Sequence, residues 1–218
     1  MSAERRVRSH FEADAKRFDE IYESRKGPVR WFVDDVWRGV VQKRFALTLE
    51  LLAPLDDRRV LDVGCGSGRY CIAFAQLGAA KVVGIDYAAA MLALADRHAV
   101  EANVSAVCEF RQAAFPNGAL AGERFDCTTA MGYFDYVPDP IAHLARMKEL
   151  TVGSIVASFP KRRDFRAPLR RLRFKLNSCP LFLYSAADVE SAFVQAGVPS
   201  FELIDLGRDY VAVGRVPR

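Results

Sequence analysis

The sequence predicts an α/β fold, a doubly wound, mostly parallel seven-stranded sheet with a terminal antiparallel hairpin. Three observations carry this reading. From Arg58 onward, short apolar and β-branched runs alternate with longer segments of helical period, the pattern of a parallel sheet covered on both faces. The first run, "VLDVGCGSGRY" (residues 60–70), passes from strand to helix through glycines at every second position, Gly64, Gly66 and Gly68. Two strand-like runs, "FELIDLG" and "DYVAVGRV", leave only Arg208 between them with Asp209 at the boundary, which is a hairpin spacing.

Taken in order, residues 1–55 read as helices carrying scattered aromatic residues, with "GPV" at residues 27–29 as the break. "RRVLDVG" then reads as a strand and "RYCIAFAQLG" as a helix closed by Gly78; "KVVGID" is the next strand and "AAAMLALADRHAVEA" the next helix. "SAVCEFRQA" and "RFDCTTAM" follow as strands, "DPIAHLARMKEL" as a helix with an Asp-Pro start, and "GSIVASFP" as the fifth strand. The alternation pauses over residues 161–183 and resumes with "SAADVESAFVQAG", a helix capped by Ser185 and stopped at Gly197. Such a sheet offers its ligand site at the carboxyl ends of the strands.

A chain of 218 residues suits one α/β domain with extensions. Its composition is that of a soluble protein, 51% apolar and 27% charged, with no apolar run near the ~18–20 residues of a membrane span. The segment "MSAERRVRSHFEADAKRF" has no continuous apolar stretch of the secretory kind, so a cytoplasmic location is expected. Five cysteines (Cys65, Cys71, Cys108, Cys127, Cys179) make an odd count without C-x-x-C spacing, so neither a disulfide framework nor a metal centre is indicated. The net charge of +4 is local: residues 161–175 hold eight basic side chains and one acidic, a net +7 that leaves −3 for the remainder.

The glycine pattern G-x-G-x-G followed by Arg69 departs from the dinucleotide fingerprint G-x-G-x-x-G. Asp62, just ahead of the loop, would repel a pyrophosphate and suits a cationic ligand group instead. Asp86 closes the next strand 18 residues beyond Gly68, where a carboxylate can accept from two ribose hydroxyls. The ligand so described is a nucleoside bearing positive charge and needing no phosphate.

At these residues the chain resembles the class I S-adenosylmethionine-dependent methyltransferases of the small-molecule type, through "VLDVGCGSGRY", "GIDYAAAML" and "FDCTTAMGYFDY" in that order. The resemblance is close over residues 60–160 and loose in the flanking helices and hairpin. It implies a Rossmann-like methyltransferase fold in which residues 1–55 form an N-terminal helical lid and residues 56–218 bind S-adenosyl-L-methionine, with a basic cap insert at 161–183. It further implies that Asp62 and the backbone of Gly64, Cys65, Gly66 and Gly68 hold the methionine portion, that Asp86 takes the ribose, and that Tyr87 and Met91 flank the adenine. Ala114 stands where family members often place an acidic residue for the adenine amine, leaving Phe115 to cover the ring. Met131 and Gly132, at the end of the fourth strand, complete the expected cofactor contacts, with S-adenosyl-L-homocysteine as product. Tyr22 and Arg44 either reach the methionine carboxylate from the lid or serve packing.

Methyl transfer from a sulfonium is an in-line displacement that depends on alignment, and a base is needed only when the acceptor must lose a proton. In the family architecture that the resemblance implies, the loop "MGYFDYVPDP" points at that spot and offers Tyr133, Asp135 and Tyr136, with Asp135 and Tyr136 as catalytic candidates. The plain alternatives are a turn aspartate at 135, with Asp139 capping the next helix, and rim packing for Tyr136. His143 reads as a boundary position on its helix, His10 and His98 have no partner pattern, and Cys65 as a nucleophile is disfavoured between glycines.

In the basic segment, Phe165, Leu169, Leu172 and Leu176 form one apolar stripe, while Arg166, Arg170, Arg171, Arg173 and Lys175 fill the remaining face. This amphipathic cationic helix suits an anionic small substrate, an acidic lipid or carrier surface, an RNA footprint, or simple solvation. RNA ranks low without a recognisable RNA module. The resulting expectation is methyl transfer to oxygen or nitrogen of a small molecule, an anionic one included, by a monomer or homodimer. An RNA methyltransferase, a nicotinamide-dependent oxidoreductase and a catalytically silent S-adenosylmethionine-binding regulator stand as rivals.

Overall fold

A computed structural model describes residues 28–117, 120–162 and 180–217, with side chains from residue 41 on. Tyr22 and the arginines of the basic segment, Arg166, Arg170, Arg171 and Arg173, lie outside the described residues. The elements are α1 (Pro28–Leu52), β1 (Arg59–Val63), α2 (Arg69–Gln76), β2 (Lys81–Asp86), α3 (Ala89–Glu101), β3 (Cys108–Gln112), β4 (Phe125–Ala130), α4 (Ile141–Leu150), β5 (Thr151–Pro160), α5 (Ala186–Gln195), β6 (Ser200–Asp205) and β7 (Asp209–Arg215). The strands form a seven-stranded sheet in the order β3-β2-β1-β4-β5-β7-β6. Strands β1 to β5 pair in parallel, and β7 runs antiparallel to both β5 and β6. The predicted alternation and hairpin are therefore present. One detail differs from the sequence reading: Asp209 is the first residue of β7, leaving residues 206–208 as the hairpin loop. Within the hairpin, β7 sits inside the sheet with β6 at its edge.

The chain runs outward from β1 to β3 and then returns to place β4 on the other side of β1. In sheets of this kind the reversal point, here between the carboxyl ends of β1 and β4, is where a ligand binds. Apolar side chains fill both faces of the sheet: Leu61, Val63, Val83, Ile85, Phe134 and Phe159 lie in one core cluster, and Val60, Cys71, Phe74 and Val82 in the other. Parallel strands buried on both faces need no polar alternation, which is why β1 and β2 read as nearly continuous apolar runs. Among the described residues no helix is long and apolar enough to cross a membrane.

Helix α5 begins where its sequence said it would. Ser185 Oγ accepts from the Asp188 N–H at 3.2 Å, and the Asp188 carboxylate accepts from the Ser185 N–H at 2.7 Å, a reciprocal cap. Ser185→Ala is expected to lower stability by about 1 kcal/mol in urea unfolding, with an unchanged m-value. On α4, Asp139 accepts from the Ile141 N–H at 3.0 Å, one residue outside the Pro140 that occupies the cap position.

Candidate functional site

The glycine loop is tied to β2 before it enters α2. The N–H groups of Gly64 and Cys65 both donate to the Ile85 carbonyl, at 2.8 and 3.0 Å. Gly64 adopts φ +69°, and a β-carbon there would lie 2.6 Å from Tyr133 Cδ2. Gly68, at φ +79°, has Ala95 Cβ 2.9 Å from the same hypothetical position. Each is thus required twice, by a left-handed backbone and by a close neighbour. A β-carbon at Gly66 would meet nothing within 4 Å, so the middle of the loop presents open backbone.

Asp86 holds that open backbone in place. One carboxylate oxygen accepts from the Gly66 N–H at 3.0 Å and the other from the Ala88 N–H at 2.9 Å. Burial raises its pKa, and the backbone hydrogen bonds partly oppose this. Tyr87 is half-buried beside it and accepts through its carbonyl from Gln112 Nε2 at 3.0 Å, while Met91 is buried on α3. Across this end of the sheet, Ala114 is exposed and Phe115 half-buried; both line a shallow recess with Ile85, Ala113 and Leu120.

Asp62 lies deeper, 2% exposed, on the face of β1 covered by α2. Its Oδ1 is 2.7 Å from the Thr129 hydroxyl on β4, and its Oδ2 accepts from the Cys71 thiol at 3.5 Å. Burial pushes its pKa up to about 7, and the Asp86 carboxylate acts in the same direction. On the adjoining loop a hydrogen bond with Cys71 lowers the Cys65 thiol pKa, but burial and the Asp62 and Asp86 carboxylates outweigh it and leave the thiol raised, which suits a packed thiol better than a nucleophile.

The carboxyl end of β4 carries the other half of the site. Met131 is buried, and the Gly132 N–H donates to Ser158 Oγ on β5 at 2.8 Å. Ser158 also accepts from Arg44 Nη1 at 3.4 Å, and the same nitrogen pairs with Asp209 at 3.2 Å. Arg44 thus packs against the strand ends, with the Asp135 and Asp209 carboxylates and the Tyr70 hydroxyl contributing to its electrostatic environment. A short 3-10 turn, Phe134–Tyr136, follows. In it Asp135 is buried, its carbonyl accepting from the Phe182 N–H at 2.9 Å, whereas Tyr136 is half-buried. The Tyr133 hydroxyl lies 2.9 Å from His143 Nδ1 and 3.3 Å from the Phe115 carbonyl. Burial lowers the His143 pKa to about 4, so this imidazole is neutral at physiological pH.

Through these contacts the glycine loop meets Asp86 and Tyr133 of the β4 loop, and Asp62 meets Thr129, at the carboxyl ends of β1, β2 and β4. Sequence reasoning did not find Thr129, Ser158 or Asp209 as supports. Each lies far along the chain from its partner, and only the sheet order makes them neighbours. For Thr129 a signal existed: a hydroxyl on β4 in register with Asp62 on β1.

Residues 60–152 match the family described as "Methyltransferase domain". A ubiquinone biosynthesis O-methyltransferase of Paracidovorax citrulli is 46% identical over 92 residues, covering 41% of this chain and 37% of that protein. One of Azorhizobium caulinodans is 36% identical over 113 residues, 52% of this chain and 44% of its own length. The matched region therefore spans less than half of each relative. Among solved structures, magnesium protoporphyrin IX methyltransferase of Synechocystis PCC 6803 with bound SAH superposes with a TM-score of 0.79 at 18% identity, covering 99% of this chain and 100% of that one.

Proposed function

With a methyltransferase domain over residues 60–152 as the premise, we propose that this protein transfers a methyl group from S-adenosyl-L-methionine to an oxygen of a small molecule. The observation that carries the reading is the open backbone at Gly66, held by Asp86 at the sheet's reversal point. A donor nucleoside fits there by its chemistry: ribose hydroxyls to Asp86, adenine between Met91, Tyr87, Ala114 and Phe115, and the cationic amino acid end over Gly64 toward Asp62, Met131 and Gly132. Tyr22 would close over it from the lid. The oxygen acceptor follows the names of the curated relatives, which are O-methyltransferases.

When bound, the donor supplies an electrophilic methyl on sulfur; this chain's residues supply position and a place for the acceptor's proton. Asp135 is the group proposed to take or orient that proton, with Tyr136 beside it, because the turn Phe134–Tyr136 directly follows the β4 loop that faces Gly64. An anionic substrate would find its counter-charge in the basic cap near Arg166, Arg170, Arg171 and Arg173.

Calorimetric titration with S-adenosylmethionine, with NADH in parallel, tests the donor. Label transfer from the methyl-tritiated donor to a panel of phenols then tests the acceptor. Asp135→Asn should lower kcat by about a hundredfold or more while leaving donor affinity in place. Failure of the folded protein to bind the donor, or preferential binding of NADH, would overturn the assignment.

A further inference from the structure

Asp62 is placed where an unpaired negative charge is costly. It is 2% exposed, and the groups acting on it are the Thr129 hydroxyl of β4, the Cys71 thiol of α2 and the Asp86 carboxylate of β2. Tyr70 of α2 and Cys65 of the loop also feel its charge. All are neutral or anionic. A carboxylate so enclosed is expected to carry a proton unless a cation arrives.

Thr129 supplies the second half of the argument. Its hydroxyl oxygen lies 2.7 Å from Asp62 Oδ1 and 3.3 Å from the Leu61 carbonyl. A carbonyl can only accept, so the two contacts are satisfied together when Asp62 is protonated: Asp62 O–H donates to Thr129, and Thr129 O–H donates to Leu61. When Asp62 is ionised, the hydroxyl turns and donates to the carboxylate instead. One rotatable hydroxyl thus serves both protonation states with the heavy atoms fixed.

We propose that Asp62 holds a proton in the ligand-free protein and releases it to solvent as the cationic end of the methyl donor occupies the glycine loop above it. The site exchanges H⁺ for a cationic ligand group, so the buried charge is never left uncompensated. This rests on the donor reading given above. In consequence, donor affinity is linked to pH: with the ligand-free carboxyl titrating at about 7, binding is expected to be about tenfold weaker at pH 6 than at pH 7.5. Both values lie below the titration of the donor's own α-amino group, at about 8.

Two measurements separate this proposal from the donor reading. Carboxyl ¹³C spectra of the ligand-free protein, wild type against Asp62→Asn, follow the Asp62 resonance without any donor. Titration near neutrality is expected; an Asp62 that stays ionised down to about pH 4 overturns the proposal whatever the protein binds. Donor calorimetry in buffers of different ionisation enthalpy then reads proton release directly. Close to one proton is expected at pH 6, falling to about half a proton at pH 7 in the wild type, and release is absent at pH 6 in Asp62→Asn. Donor binding with a buffer-independent heat in the wild type overturns the exchange and leaves the donor reading standing. No donor heat at any pH, with Asp62 titrating near neutrality, overturns the donor reading and, with it, the exchange. Thr129→Val provides a variant that keeps the carboxyl: losing the hydroxyl that stabilises the ionised form should move the Asp62 titration and the pH dependence of binding upward together. A pH dependence that does not follow the resonance counts against the assignment to Asp62.

Discussion

Asp86→Ala is expected to weaken S-adenosylmethionine binding by at least a hundredfold. Hydrogen bonds to a charged acceptor contribute about 1.5–3 kcal/mol each, and a ribose can offer two. The same substitution also withdraws the acceptor from the N–H groups of Gly66 and Ala88, bonds that tie the loop to the start of α3. Binding and loop order should therefore fall together. Asp86→Asn keeps one acceptor oxygen and should lie between the alanine variant and wild type in calorimetric titration. A change below about fivefold in the alanine variant, which is under about 1 kcal/mol, would mean that the carboxylate braces the loop without touching the ribose.

Arg44→Met should produce the largest loss of stability, about 3–5 kcal/mol. The side chain removed is 13% exposed, and its partner Asp209 is 7% exposed by side chain, so the substitution leaves a buried carboxylate without its guanidinium. Ser158 loses one of its two donors at the same time. For a chain of this size the melting temperature should drop by roughly 10 °C. Arg44→Met with Asp209→Asn removes the stranded charge and should recover part of the loss, which a double-mutant cycle in urea would measure. A cost below about 1 kcal/mol for Arg44→Met would place the pair in the solvated class.

The half of the site that was legible in the sequence is the local half. Gly64, Gly66, Gly68 and Asp86 sit within one strand-turn-helix-strand unit, where spacing along the chain is also spacing in the molecule. Ser185 and Gly197 were legible for the same reason, since a cap acts within one turn. Arg44 was not resolvable between packing and ligand contact, because its partners Ser158 and Asp209 are 114 and 165 residues away. His143 read as a helix position with apolar neighbours; its hydrogen bond to Tyr133 depends on how α4 lies against the β4 loop, which periodicity does not report. The hairpin was visible from turn length, yet its placement with β7 inward was not, because both strands carry enough apolar residues to pair with β5.

That inward placement of β7 has a consequence for the order of assembly. Strand β5 offers one long edge, Thr151–Pro160, to a partner encoded some fifty residues later, with α5 and β6 among the described residues in between. Until the β6–β7 hairpin docks, that edge is an open template for pairing with other chains. The hairpin is a local contact and can form early, whereas its insertion beside β5 must wait for a long loop to close. Because Asp209 is the first residue of β7, the Arg44–Asp209 pair can close only after insertion, so this one tie between helix α1 and the strand ends is made by a residue 165 positions away and waits for the hairpin.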